Sequence, residues 1–298
     1  MNILQLDNVR KTYQNHVAVD GVSFAVPEGS IFGLLGPNGA GKTSLIRIIT
    51  TITRADSGTV YLNGKQLHSR HPEMIGYMPE ERGLYKKMKV GEHLIYLARL
   101  KGLSKSEAQK KINHWLEKFE ITDWWEKKVE ELSKGMQQKI QFISTIVHEP
   151  KLLILDEPFS GLDPINTNLM KDEIAALRDK GTSIIFSTHR MEQVEEVCEE
   201  IVLINKGQNV LEGRVKDVKN QFKENLFEVE FDGAMPTNLN ELATVKEQKN
   251  ESVVVQLRTG RHSNEVLQLF LQNGNFIHTF REILPTLNEI FIKKVGDI

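Results

Sequence analysis

Gly36-Pro37-Asn38-Gly39-Ala40-Gly41-Lys42-Thr43 lies between the apolar run Ile31-Phe32-Gly33-Leu34-Leu35 and the helical pattern Ser44-Leu45-Ile46-Arg47-Ile48-Ile49. Strand, glycine turn and helix in this order form the context in which G-x-x-x-x-G-K-[ST] binds phosphate. Glycines let consecutive backbone amides turn toward one anion, and the helix N-terminus adds its positive dipole end. Lys42 then reaches the β- and γ-phosphates of a nucleotide, and the Thr43 hydroxyl ligates Mg²⁺. An ordinary strand-to-helix turn is the competing reading, and the flanks count against it.

Further along, Lys151-Leu152-Leu153-Ile154-Leu155, Thr182-Ser183-Ile184-Ile185-Phe186 and Ile201-Val202-Leu203-Ile204 repeat the buried-strand pattern. A helical pattern over 164–180 separates the first two, with Asp163 as N-cap and Pro164 as first helical residue. Near-continuous apolar strands alternating with helices predict an α/β fold with a mostly parallel sheet covered on both faces. Asp156 and Glu157 end the first of these strands, where such sheets bind ligands. There Asp156 is suited to hold a metal through water and Glu157 to act as general base on an attacking water. An Asp-Glu turn before Pro158 is common by itself, but the phosphate loop and the acidic strand end demand each other.

Residues 88–145 read as helical throughout. Ala108, Ile112, Trp115 and Phe119 form one apolar stripe, and Ser104 with Glu107 forms a capping box. Between Lys86 and Lys139, basic residues outnumber acidic ones 13 to 8. A solvated surface explains that surplus; so does contact with an acidic partner or membrane surface. After about residue 220 the texture changes. Residues 226–231 and 252–257 read as strands, 263–273 as a helix capped by Ser263 and closed by Gly274, 275–283 as a strand and 285–295 as a final helix. This is a small α+β domain, 221–298, after a larger unit, 1–220.

The whole chain has 298 residues and a net charge of −2, so no global basic field points to nucleic acid. The single cysteine, Cys198, excludes an internal disulfide framework and reads as a small packing residue. No signal peptide is visible at the N-terminus, and no apolar run approaches the ~20 residues that span a bilayer.

With these residues in place, the chain resembles the ATP-binding subunit of an ABC transporter over residues 1 to about 220. Lys42 lies in a Walker A motif and Asp156-Glu157 in a Walker B. Leu132-Ser133-Lys134-Gly135-Met136-Gln137-Gln138-Lys139 resembles the signature motif, Ser160-Gly161-Leu162-Asp163 the D-loop, and Ser187-Thr188-His189 the switch histidine at a strand end. Tyr13 sits where the family stacks an aromatic on adenine. The resemblance implies a P-loop NTPase fold with a mostly parallel core, an antiparallel β subdomain and a helical insertion at 88–145. It implies ATP and Mg²⁺ as ligands, two copies pairing head to tail around two ATP molecules, and a separate transmembrane permease as partner. No nucleic acid is expected, and the implied place is the cytoplasmic face of the membrane, held there through the permease. Glu157 and His189 would be catalytic, and His189 would hold the γ-phosphate and the attacking water. Tyr13 and Gly36, Pro37, Asn38, Gly39, Ala40, Gly41, Lys42, Thr43 and Ser44 would bind ATP. Ser133, Lys134, Gly135 and Met136 would approach the other protomer's ATP. Asp163 would couple the two sites.

Three positions depart from the family pattern. Lys134 and Met136 replace a glycine and the glutamine of the usual Leu-Ser-Gly-Gly-Gln. In Ile75-Gly76-Tyr77-Met78-Pro79-Glu80, Glu80 stands where a glutamine is expected, and its carboxylate still suits Mg²⁺ beside Thr43 and Asp156. With Glu-Arg-Gly-Leu-Tyr at 81–85, these departures resemble the branch that serves export-type permeases, including bacterial sodium and drug extrusion systems, whose members often carry an extra C-terminal domain. The rival readings are a soluble ABC-type ATPase acting on nucleic acid or ribosomes and a low-turnover regulatory module gated by nucleotide.

Overall fold

The computed structural model describes residues 1–81 and 83–296; Arg82, within the 81–85 run above, lies outside the described residues. The chain divides into two compact units, Met1–Val215 and Lys216–Ile298. The break lies slightly before the change of texture near residue 220.

The first unit opens with β1 (Asn2–Tyr13) and β2 (His16–Pro27), then β3 (Ile31–Leu35), α1 (Lys42–Ile49), β4 (Ser57–Leu62), β5 (Lys65–Gln66) and β6 (Ile75–Met78). There follow α2 (Val90–Leu100), α3 (Lys105–Lys118), α4 (Lys134–Ile146), β7 (Leu152–Asp156), α5 (Pro164–Asp179), β8 (Ser183–Thr188), α6 (Met191–Val197), β9 (Glu200–Asn205) and β10 (Gln208–Arg214). One sheet has the order β10-β9-β3-β8-β7-β6. All its neighbours are parallel except β10, which pairs antiparallel with β9. Every residue of β3, β7 and β8 is buried, the expected consequence of covering both faces. A second, antiparallel sheet has the order β2-β1-β4-β5, and its inner residues share a core with β3 and α1.

The insertion is less continuous than the pattern at 88–145 predicts. Helices α2, α3 and α4 are separated by a turn at 101–104 and by short 3₁₀ turns at Thr122–Trp124 and Val129–Glu131. The capping box at the start of α3 forms: Ser104 N donates to Glu107 Oε2 at 3.0 Å and Glu107 N to Ser104 Oγ at 3.2 Å. Ala108, Ile112, Trp115 and Phe119 are all buried. The Lys101 ammonium ties the end of α2 to the core, donating to the carbonyls of Pro72 (2.7 Å) and Ile75 (2.8 Å). Cys198 is buried at the end of α6, where burial pushes its thiol pKa up.

The second unit takes over within α7 (Val215–Gln221) and continues with β11 (Leu226–Asp232), α8 (Leu239–Leu242), β12 (Ala243–Gln248), β13 (Ser252–Leu257), α9 (Ser263–Gln272), β14 (Phe276–Ile283) and α10 (Leu287–Gly296). Its antiparallel sheet has the order β12-β13-β11-β14 and its own core, centred on Val229, Val255, Val266 and Phe270. The cap of α9 is His262, not Ser263: His262 N donates to Glu265 Oε1 at 3.0 Å, so the reciprocal glutamate sits three residues from His262.

Candidate functional site

Helix α1 begins at the end of the glycine loop. Gly41, its N-cap, has φ +112°, and a Cβ there would lie 2.4 Å from the Ala18 carbonyl oxygen. At Gly36, φ is +151° and a Cβ would meet the Ile204 carbonyl oxygen at 2.2 Å. Both positions therefore require glycine, for backbone angle and for space. The β9–β10 turn clamps the loop: Gly207 N donates to Ala40 O at 2.9 Å. The Lys42 ammonium folds back over the loop and donates to Gly36 O (2.6 Å) and Pro37 O (3.1 Å). Burial lowers the Lys42 pKa, while Asp156, Glu157 and Glu80 oppose that shift.

A cleft of about 360 Å³ lies over this loop, lined by Tyr13, Asn38 to Ser44, Glu80, Asp156 and Glu157, together with His16, Ala18 and Arg47. Tyr13 is 39% exposed at the end of β1, with the Lys11 ammonium 5.5 Å from its ring centroid. Glu80 follows Pro79, whose carbonyl accepts from Gln141 Nε2 at 2.7 Å, so α4 fixes the start of this segment.

The parallel register of β7 and β8 places Asp156 opposite Ser187. Ser187 Oγ donates to Asp156 Oδ1 at 2.8 Å. Burial is the main cause that raises the Asp156 pKa; the Ser187 hydrogen bond opposes it. Glu157 has left-handed backbone, φ +51°, and its N–H donates to Ser187 O at 2.8 Å. For a residue other than glycine that conformation costs about 1–2 kcal/mol. It turns the carboxylate onto the end of β8. There Glu157 Oε2 accepts from Thr188 Oγ1 (3.0 Å) and Oε1 from His189 N (2.8 Å), with His189 Nδ1 at 2.6 Å from the same oxygen. His189 thus sits on Glu157 and reaches the cleft through it.

Ser133, Lys134, Gly135 and Met136 are not brought to this cleft. Ser133 caps α4, accepting from Met136 N at 3.3 Å, and Gly135 lies beside Leu162 and the Gly161 carbonyl of the predicted D-loop. Asp163 caps α5, its Oδ1 accepting from Asn166 N at 2.9 Å; that hydrogen bond lowers its pKa. Ser187 and Thr188, which hold the two carboxylates, carried no role in the sequence reading. Their signal was two hydroxyls following the apolar run Ile184-Ile185-Phe186. His16 and Arg47 had none.

The ABC transporter family model matches residues 19–160, and a model described as ATP-binding protein DrrA1-3-like, C-terminal domain, matches 213–295. An uncharacterized ABC transporter ATP-binding protein, YhaQ of Bacillus subtilis (strain 168), is 46% identical over 297 residues, covering 99% of each chain. The chain belongs to the ABC transporter ATP-binding proteins. It is an ATPase subunit of the kind that couples ATP hydrolysis to transport. The Nod factor export ATP-binding protein I of Cupriavidus metallidurans is 33% identical over 99% of this chain and 97% of its own. A solved ATP-binding subunit of an ABC transporter, 30% identical, superposes with a TM-score of 0.69 over 74% of this chain and 93% of that one. A dimeric ATP-binding cassette with bound ADP and phosphate, at 22% identity and TM-score 0.66, shares the fold over 71% of this chain and 98% of its own.

Proposed function

We propose that this ABC ATPase works as a homodimer that drives a separate membrane permease in the export direction. The observation that carries the dimer is the division of the site. Tyr13, the glycine loop and both acidic residues share one cleft, whereas Ser133 to Met136 lie outside its lining. The signature meets ATP only if a second copy supplies it.

In this reading the loop amides and Lys42 bind the β- and γ-phosphates, and Tyr13 stacks on the adenine. Lys42 exchanges its bonds to Gly36 and Pro37 for phosphate oxygens. Thr43, Asp156 and Glu80 form an all-oxygen donor set at the cleft, which fits Mg²⁺. Bound there, the ion would neutralise phosphate charge. Glu157 takes the proton of the attacking water, and Thr188 and His189 hold its carboxylate in position. His189 also engages the γ-phosphate side of the site. Asp163, at the end of the D-loop beside which Gly135 lies, couples one site to the other. Removal of the γ-phosphate then loosens the dimer.

No helix among the described residues is long and apolar enough to cross a membrane, which supports a partner that supplies the pore. The segment after Glu80 and the insertion from α2 to α4 are the proposed docking surface for it. Export is supported by relatives named for Nod factor export and for linearmycin resistance, the latter LnrL of Bacillus subtilis (strain 168), 35% identical over 72% of this chain and 70% of its own. Residues beyond about 220 form the proposed accessory domain.

The test is size-exclusion chromatography of Glu157→Gln with ATP and Mg²⁺. An ATP-dependent shift to dimer is expected, and Ser133→Arg in the same background should abolish it. A monomer under all conditions rejects the dimer. A neighbouring gene encoding a protein with several hydrophobic spans is the expected partner, and co-expression of the two should yield a complex; absence of such a complex counts against the transport partner.

A further inference from the structure

A second cleft, of about 780 Å³, lies at the other end of the parallel strands. Asp156 and Thr188 end β7 and β8 at the nucleotide site, whereas Lys151 and Thr182, just before those strands begin, line this cleft. Helix α3 supplies Lys110, Lys111 and Trp115 to it, and the segment after α5 supplies Lys180. Ile146, Leu177 and Trp115, all largely buried, make its apolar floor.

The charges do not cancel. Lys111 is paired with Glu149 at 2.7 Å. Glu107 is engaged by the N-terminus of α3 through Ser104. Lys110, Lys151 and Lys180 come from three separate segments and have no ion-pair partner among the described residues. The C-termini of α4 and α5 end nearby, and each carries roughly half a negative charge. With Glu107 included, a surplus of about one positive charge remains over the cleft.

The backbone argues against a small phosphate as the missing partner. The amides of Lys151, Gly181 and Thr182 already donate to Met74 O (3.0 Å), Arg178 O (2.8 Å) and Leu177 O (3.1 Å). None is left to cradle an anion, as the glycine loop does. The cations are lysines, mobile point charges without the fixed fork that reads phosphate in two-point contacts. They suit carboxylates spread along a chain, and the apolar floor suits a side chain between them. We propose that this cleft docks an acidic peptide segment of a partner protein, with an aromatic or aliphatic residue seated on Trp115 and flanking carboxylates on Lys110, Lys151 and Lys180.

Fluorescence anisotropy of the full-length protein tests this, with a labelled peptide in which glutamates flank a Leu-Phe pair. Binding should saturate, weaken as salt is raised, and weaken about tenfold or more in the triple variant Lys110→Gln, Lys151→Gln, Lys180→Gln. A control peptide with Ser-Ser at its centre should bind several-fold more weakly. Unchanged ATP hydrolysis and circular dichroism show that the triple variant is folded. The proposal is overturned by absent binding, by equal binding of the triple variant or of the Ser-Ser peptide, or by binding to phosphatidylserine vesicles in place of the peptide.

Discussion

Glu157, the proposed general base, stands on a backbone that its own residue type disfavours. The left-handed φ persists because Ser187 O holds its amide while Thr188 and His189 hold its carboxylate. Glu157→Gln keeps the size and removes the proton acceptor, so ATP hydrolysis should fall by about 10²-fold or more while ATP binding survives. A variant that retains wild-type turnover removes Glu157 from its assigned role. A second residue-scale effect concerns stability. His93 is fully buried and neither ring nitrogen has a hydrogen-bond partner; burial lowers its pKa to about 4. His148 is held at about 4 by burial and, secondarily, by Lys101. In the unfolded chain both titrate near 6.5. Between those values the unfolded state binds more protons, so stability is fully present above about pH 6.5 and is lost as pH falls toward 4, by roughly 3 kcal/mol for each histidine. His93→Leu should flatten the fall of melting temperature between pH 6.5 and 4. An unchanged slope shows that His93 is not a source of acid sensitivity.

Single elements show where sequence was enough. The α3 cap was legible because both partners of the box are local. Ser104→Ala should cost about 1 kcal/mol, read as a lower denaturation midpoint at unchanged slope in urea; no change would mean that water replaces the cap. Strands β3, β7 and β8 were legible because burial on both faces leaves apolar runs. Strands β1 and β2 were not read from the residues, and only the family resemblance supplied an antiparallel sheet. Their pairing contains register shifts between Leu6 and Val9 and between Val9 and Lys11, and these bulges break the two-residue alternation that betrays a strand. The nucleotide site divides the same way. The glycine loop and the acidic pair are contiguous motifs. His16 and Arg47, by contrast, line the cleft only because strand pairing and helix rotation bring them there. At α9 the competing caps are adjacent residues, and the reach of Glu265 decides between them, a three-residue spacing that favours His262 over Ser263.

At the scale of the molecule, the two units have separate cores, and every element of the nucleotide cleft belongs to the first. A ligand that binds only the folded first unit stabilises that unit by RT ln(1 + [L]/Kd), about 2.7 kcal/mol at a hundredfold excess over Kd. The second unit receives none of this unless its folding is coupled to the first. Calorimetry of the full-length Glu157→Gln variant, expected on the proposed mechanism to hold ATP without consuming it, should therefore resolve two transitions, of which ATP with Mg²⁺ raises only one. Lys42→Ala in the same background should remove the shift, because it deletes the phosphate contact and leaves both cores intact. A single transition that moves as a whole with ATP would mean that the C-terminal unit senses the nucleotide state. That outcome would make the unit a participant in the ATPase cycle, and a substitution in its own core, such as Phe270→Ala, should then lower the ATP-dependent shift as well.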